Sequence, residues 1–107
     1  MAGRRCLQRR EGRVAPSRAL LAADYAGQGL RANAIAPGVI NTPPTRRYAG
    51  GMEGGEGKGM RVLAGLHPIG RCATPDEVAD VATFLSSDAA GFITGVVLPV
   101  DGGMTMI

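Results

Sequence analysis

Few side chains in this sequence can do covalent or proton chemistry. His67 is the only histidine, Cys6 and Cys72 the only cysteines, Tyr25 and Tyr48 the only tyrosines. The cysteines lie far apart, with neither a Cys-x-x-Cys pair nor the Cys/His spacing of a zinc site. They read as two reduced thiols of a cytoplasmic protein, and no metal is expected. His67 precedes Pro68 and has no Asp or Ser near it in catalytic order, so it reads as a loop residue without a catalytic role. Residues 50–59 are glycine-rich but do not make a phosphate loop. Met52 stands where the first Gly should be, Lys58 is followed by Gly59 instead of Ser or Thr, and no strand leads in. The remaining candidate is the turn Pro37-Gly38. It ends a strand, because Pro removes an amide donor and Gly permits a positive φ. At the carboxyl end of a parallel strand, such a turn lies where open α/β sheets bind ligands.

The elements that must position these residues follow from local pattern. Residues 17–26 are rich in strong helix formers, with Gly27 and Gly29 where a left-handed cap would fall. Residues 30–36 read as a strand of small residues, packed on both faces. Residues 39–59 read as a loop, because Thr42-Pro43-Pro44 cannot continue a strand and six glycines in eleven residues make ordering costly. Residues 60–66 form a short helix closed by His67-Pro68. The best helix is 74–86: Thr74 is its N-cap, Pro75 its first residue, and Glu77 completes a capping box. Val78, Val81, Ala82 and Leu85 form its apolar stripe, expected in a core or a subunit interface. Residues 95–100 read as a buried strand closed by the turn Asp101-Gly-Gly. A strand, a crossover helix and a second strand make a βαβ unit with parallel pairing. Two such strands read as the edge of a larger α/β sheet.

Charge divides unevenly. Residues 1–18 hold six Arg against Glu11, a net +5, whereas the rest nets −2. An acidic body without interleaved aromatics argues against nucleic-acid binding. No apolar run reaches the ~20 residues of a membrane span, and no apolar middle marks a secretory signal, so no membrane partner is expected.

Several motifs in order then carry a resemblance. Residues 21–43, Leu-Ala-Ala-Asp-Tyr-Ala-Gly-Gln-Gly-Leu-Arg-Ala-Asn-Ala-Ile-Ala-Pro-Gly-Val-Ile-Asn-Thr-Pro, resemble the short-chain dehydrogenase/reductase family. So do His67-Pro-Ile-Gly-Arg71, Thr74-Pro-Asp-Glu-Val-Ala79, Phe84-Leu-Ser-Ser-Asp88, Ile93-Thr-Gly95 and Val100-Asp-Gly-Gly103. The resemblance covers about residues 17–103 and implies the C-terminal part of an NAD(P)-binding Rossmann-type domain, the βαβ edge of a doubly wound parallel sheet. It implies hydride transfer between NAD or NADP and a small-molecule carbonyl or alcohol. It places Pro37, Gly38, Ile40 and Thr42 at the nicotinamide end of the cofactor. A backbone amide and carbonyl near Ile40 would hold the carboxamide, and the Thr42 hydroxyl the carboxamide or a phosphate. It makes residues 50–59 the position of a substrate-binding loop with its small helices, and helix 74–86 with strand 96–100 a subunit interface of a homo-oligomer.

The family's catalytic Tyr-x-x-x-Lys and Gly-rich cofactor turn are not in this sequence. The Tyr and Lys would fall near residues 6–11, where Cys-Leu-Gln-Arg-Arg-Glu stands. Tyr25 and Tyr48 do not replace them, since Gly29 and Met52 occupy their +4 positions. No catalytic residue is assigned. Residues 7–12 can be encoded CTA CAG CGC CGC GAA GGG C. One nucleotide later this reads Tyr-Ser-Ala-Ala-Lys-Gly, so residues 1–16 are expected to be an irregular basic segment out of frame with residues 17–107. Two readings follow: a truncated oxidoreductase inactive by itself, or a non-catalytic oligomerisation module derived from the family.

Overall fold

The computed structural model describes residues 17–106. The basic segment 1–16, with Cys6, lies outside them. Among the described residues, four α-helices and two strands run in the order α1 (Ser17–Tyr25), β1 (Ala34–Pro37), α2 (Pro43–Gly50), α3 (Gly55–Gly65), α4 (Pro75–Ser86) and β2 (Val97–Val100), with short 3-10 turns after α1, α4 and β2. The strands pair in parallel. Ala34 N–H donates to Val96 O and Gly38 N–H to Val100 O, so both chains advance by four residues together.

That register turns the odd-numbered residues outward. Pro37 on β1 and Pro99 on β2 therefore withhold a donor on the outer sides of this pair.

The chain divides into two compact units. Of the described residues, one holds residues 17–34 together with Leu85–Leu98, and the other Ile35–Phe84 with residues 99–106. In the first, α1 ends in a 3-10 turn whose cap, Gly29, has φ 82. Ala22 is buried beside Gly95, where an added methyl would lie 3.5 Å from its Cβ. Arg31 holds this unit together. Its guanidinium donates to the carbonyls of Leu85 (2.8 Å), Ser87 (3.2 Å) and Ile93 (3.2 Å), closing the C-terminus of α4 with a cation. Asn33 adds a second clasp: its amide donates to Ile93 O at 3.1 Å, and its Oδ1 accepts from Val96 N–H at 3.1 Å.

The second unit departs from expectation. Residues 39–59 do not form a loop; they contain α2 and the first half of α3. Thr42 is extended and caps α2, its hydroxyl accepting from Thr45 N–H, and the two prolines fill the first helical positions, where no amide donor is needed. Gly54 and Gly55, at φ 89 and 82, make the reversal into α3. Helix α3 carries four glycines, each costing about 1 kcal/mol against alanine. Packing offsets this. Ala49 is fully buried, Leu63 nearly so, and Gly59 lies against the Ala49 backbone so closely that no Cβ fits. The glycines that read as flexibility are what lets the two helices touch.

Helix α4 forms as its sequence demands. Glu77 N–H donates to the Thr74 hydroxyl at 3.2 Å and Thr74 N–H to the Glu77 carboxylate at 2.9 Å, which completes the capping box. Its stripe is only partly covered: Leu85 is buried, Val78 and Val81 are half-buried, and Ala82 is exposed. The strands are shorter than the pattern implied, and Val96, Val97 and Leu98 are each over a third exposed.

Candidate functional site: the turn after β1

The turn that leaves β1 is built entirely within the second unit. Gly38 N–H still belongs to the sheet, donating to Val100 O at 3.1 Å. Beyond it the chain runs alongside residue 73. Ala73 N–H donates to Val39 O at 3.0 Å and Asn41 N–H donates to Ala73 O at 2.8 Å, a parallel bridge centred on Ile40. In that arrangement the N–H and C=O of Ile40 itself point away from residue 73. Among the described residues neither has a protein partner. A donor and an acceptor thus stand side by side on extended backbone, the complement of a primary carboxamide.

The glycine at this turn has a different reason from the one its sequence suggested. Gly38 is not among the glycines with positive φ. A Cβ there would lie 2.8 Å from His67 Nε2 and 3.1 Å from Asp101 Cα. It is glycine because an imidazole and a backbone crowd it.

His67 is likewise not an idle loop residue. It is 4% exposed, and its Nε2 accepts from Val39 N–H at 3.1 Å. Because an amide can only donate, the ring's proton belongs on Nδ1, which faces Ala64 O at 3.4 Å. Asp101 forms the other wall. Its carboxylate accepts from the Thr105 hydroxyl (2.7 Å), Thr105 N–H (3.1 Å) and Gly103 N–H (3.0 Å). These bonds, the Thr105 hydroxyl foremost, hold its pKa below the ordinary carboxylate value. Gly102 O accepts from Ile69 N–H at 3.1 Å, which ties this turn to the His67 segment. Sequence reasoning took His67 for a loop residue and Asp101 for part of a turn, without the partners that each has in the fold. The Asp-Gly-Gly run with Thr105 four residues on was the one available signal, an Asx-type turn.

Between these walls lies a cavity of about 440 Å³, lined mainly by apolar groups of Val39, Ile69, Ala73, Pro99, Val100 and Met106. Arg71 and Glu77 stand at its side in a two-pronged ion pair, both contacts 2.7 Å. Arg71, with help from Thr74 N–H, lowers the Glu77 pKa to about 2. Of the four residues singled out by resemblance, only Gly38 lines the cavity. Pro37 and Ile40 lie beside it in sequence. The Thr42 hydroxyl is engaged with Thr45, whose own hydroxyl is 3.0 Å away. Cys72 is a free thiol whose pKa burial raises, and no His/Cys/Asp/Glu cluster suited to a metal occurs among the described residues. No helix among them is long and apolar enough to cross a membrane.

The two carboxylates set an acid limit. Both have folded-state pKa values below the ordinary ~4, so each stabilises the fold above that value and loses its contribution as pH falls through the folded pKa. The share of urea stability that these two carboxylates contribute is expected to fall between about pH 4 and 2. Asp101→Asn should flatten that slope. An unchanged slope would mean that the carboxylate's hydrogen bonds do not form.

Residues 13–105 match the family model described as enoyl-(acyl carrier protein) reductase. "Inactive 2-(S)-hydroxypropyl-CoM dehydrogenase 2" of Xanthobacter autotrophicus is 44% identical over 87 residues, which are 81% of this chain and 37% of that protein. Galactitol 2-dehydrogenase (L-tagatose-forming) of Cereibacter sphaeroides is 43% identical over 86 residues, 80% of this chain and 32% of that one. Among solved structures, a C-terminal deletion mutant of Thermoplasma acidophilum aldohexose dehydrogenase superposes with TM-score 0.77 at 39% identity, covering 84% of this chain and 40% of its own. A short chain dehydrogenase family protein from Francisella tularensis does so with TM-score 0.77 at 31% identity, covering 84% and 39%. The chain spans about a third of the length of the curated relatives it matches.

Proposed function

From the premise that this chain belongs to the short-chain dehydrogenase/reductase family, we propose that it forms the nicotinamide-end wall of an NAD(P)-dependent oxidoreductase. The fold is the corresponding part of a Rossmann-type domain, with the two parallel strands and the helices between them. The observation that carries the proposal is the unpartnered N–H and C=O of Ile40, held in place by the bridge to Ala73. In this reading Ile40 N–H donates to the carboxamide oxygen and Ile40 C=O accepts from its NH2. Gly38 lets the backbone come close, and Pro37 fixes the direction in which the chain leaves the strand. With the Thr45 hydroxyl as donor to Thr42, the Thr42 hydroxyl hydrogen would serve a phosphate or carboxamide oxygen while its lone pair caps α2. The bound nicotinamide supplies or accepts the hydride. This chain's residues bind and orient it; none of them is an acid/base. The substrate is a small carbonyl compound or alcohol, and α2 with α3 would lie over it. The free Cys72 thiol suits a cytoplasmic setting.

A chimera tests this. The matching 86 residues of galactitol 2-dehydrogenase (L-tagatose-forming) are replaced by their counterparts here. Cofactor-dependent turnover of galactitol is expected to survive. A folded chimera without cofactor binding would sink the proposal.

The exposed Phe84, Val96, Val97 and Leu98 favour a second reading, a non-catalytic module that pairs with another copy through α4 and β2. Sedimentation of the 107-residue chain separates the two: a concentration-independent monomer removes the module. Segment 1–16 keeps its own proposal, a shifted frame; the family match begins at residue 13, inside this segment, so the shift it concerns ends by residue 12. The coding DNA decides it.

A further inference from the structure

His67 contributes one thing that no apolar residue of its size could, an acceptor for a backbone amide at a crowded turn. Burying an imidazole costs free energy unless its nitrogens are bonded, and here both have partners. The bond it makes is to Val39, the residue just before Ile40. Both peptides that carry the Ile40 groups are held by Ala73, which takes the Val39 C=O of one and the Asn41 N–H of the other. The preceding peptide, between Gly38 and Val39, has only His67 as a partner among the described residues, and Gly38 carries no side chain to wedge the turn and no φ in the left-handed region. The ring is itself wedged. Gly38 sits against its Nε2 edge, and a Cβ on Gly102 would lie 3.4 Å from the His67 Cβ. The next residues are tied down by Gly70 N–H to His67 O at 2.8 Å and by Ile69 N–H to Gly102 O at 3.1 Å.

We propose that His67 is a positioning residue for the cofactor wall: by accepting from Val39 N–H it fixes the Gly38–Val39 peptide plane, one step before the two planes that Ala73 holds, and so keeps the free Ile40 N–H and C=O pair in register for a carboxamide. The proposal rests on the cofactor reading given above. It requires the tautomer with the proton on Nδ1 and an unprotonated Nε2.

Three measurements test it. The first needs no variant: 15N shifts of the imidazole in the 107-residue chain should show Nδ1 protonated and Nε2 bare, and the opposite tautomer overturns the proposal. The second is hydrogen exchange at Val39. The amide should be protected in the wild type and in His67→Gln, whose side-chain carbonyl can still accept, and should exchange at least roughly tenfold faster in His67→Phe, which keeps the ring volume. Equal protection in Phe and Gln variants overturns it. The third uses the chimera described above. There His67→Phe should raise the cofactor KM roughly tenfold with kcat changed less than about twofold, and His67→Gln should restore it. A purely structural residue would instead lower the amount of folded enzyme and leave KM alone. An unmoved KM beside a deprotected Val39 amide overturns the positioning role while leaving the cofactor reading intact. A wild-type chimera that folds but binds no cofactor sinks both, and the tautomer and exchange data then describe a structural hydrogen bond only.

Discussion

Gly59→Val is expected to unfold the α2–α3 hairpin. A Cβ at residue 59 would land on the Ala49 carbonyl, and the contact is with backbone, which cannot swing aside as a side-chain tip would. Valine adds two further methyls and a stiff χ1 to a helix that already carries four glycines. Overpacking of this kind costs about 1–3 kcal/mol where the surroundings yield a little. Here the neighbour is the last turn of α2, centred on the fully buried Ala49, so the upper end is expected. That is a large share of the total stability of a small domain, about 5–15 kcal/mol. Gly57→Ala is the matched control. Its added methyl meets only the Arg61 guanidinium at 3.9 Å, and helix propensity favours the alanine by up to about 1 kcal/mol. Urea midpoints should therefore move in opposite directions for two glycines two residues apart. Movement in the same direction would mean that the helices do not touch as described.

A polypeptide of these 107 residues is expected to give no measurable hydride transfer with NADH or NADPH and any ketone, alcohol or enoate. The reaction needs a group that holds or delivers a proton at the substrate oxygen, worth typically 10²–10⁴ in rate. The family pattern for that group, Tyr-x-x-x-Lys, occurs nowhere in the sequence. Tyr25 is followed four residues later by Gly29, and Tyr48 by Met52, so neither has the pattern's lysine. Tyr48 is 69% exposed, with water around it, not a substrate pocket. The wall around Ile40 would hold one end of the cofactor, while the phosphates need a Gly-rich turn between a strand and a helix N-terminus, and the Gly-rich turn into α3 follows a helix instead. Stopped-flow absorbance at the nicotinamide band, run beside the chimera as positive control, decides it. Turnover by the 107 residues would show that another residue of this chain acts as the acid.

Among the helices, the sequence by itself determined those whose signals are local. Thr74, Pro75 and Glu77 fall within one turn, so the capping box could be read from four adjacent letters, and it formed as read. The same holds for the end of α1 at its glycines and the end of β1 at Pro37. The parallel pairing followed from the strand–helix–strand order, since a crossover helix leaves little other choice. The resemblance to the family rested on runs of residues in order and needed no coordinates.

What only the tertiary structure decided involves partners distant in sequence. Residues 39–59 read as a loop because six glycines disfavour a helix, and propensity knows nothing of Ala49 lying against Gly59. Gly38 read as a backbone with positive φ, when its neighbour is an imidazole 29 positions away. His67 read as idle because its partners are a backbone amide and a backbone carbonyl, which carry no letter in a sequence. Arg31 holds three carbonyls more than fifty residues distant, equally invisible. At the turn after β1, the sequence pointed to Pro37, Gly38, Ile40 and Thr42 as a stretch of chain. The fold decided which of its backbone groups are spent on Ala73, Val100 and His67, and left the pair on Ile40 free. The physical reason is common to all of these. Local chemistry sets how a segment begins, ends and pairs with its neighbour, while close approach and backbone hydrogen bonding across the fold depend on what tertiary packing brings alongside.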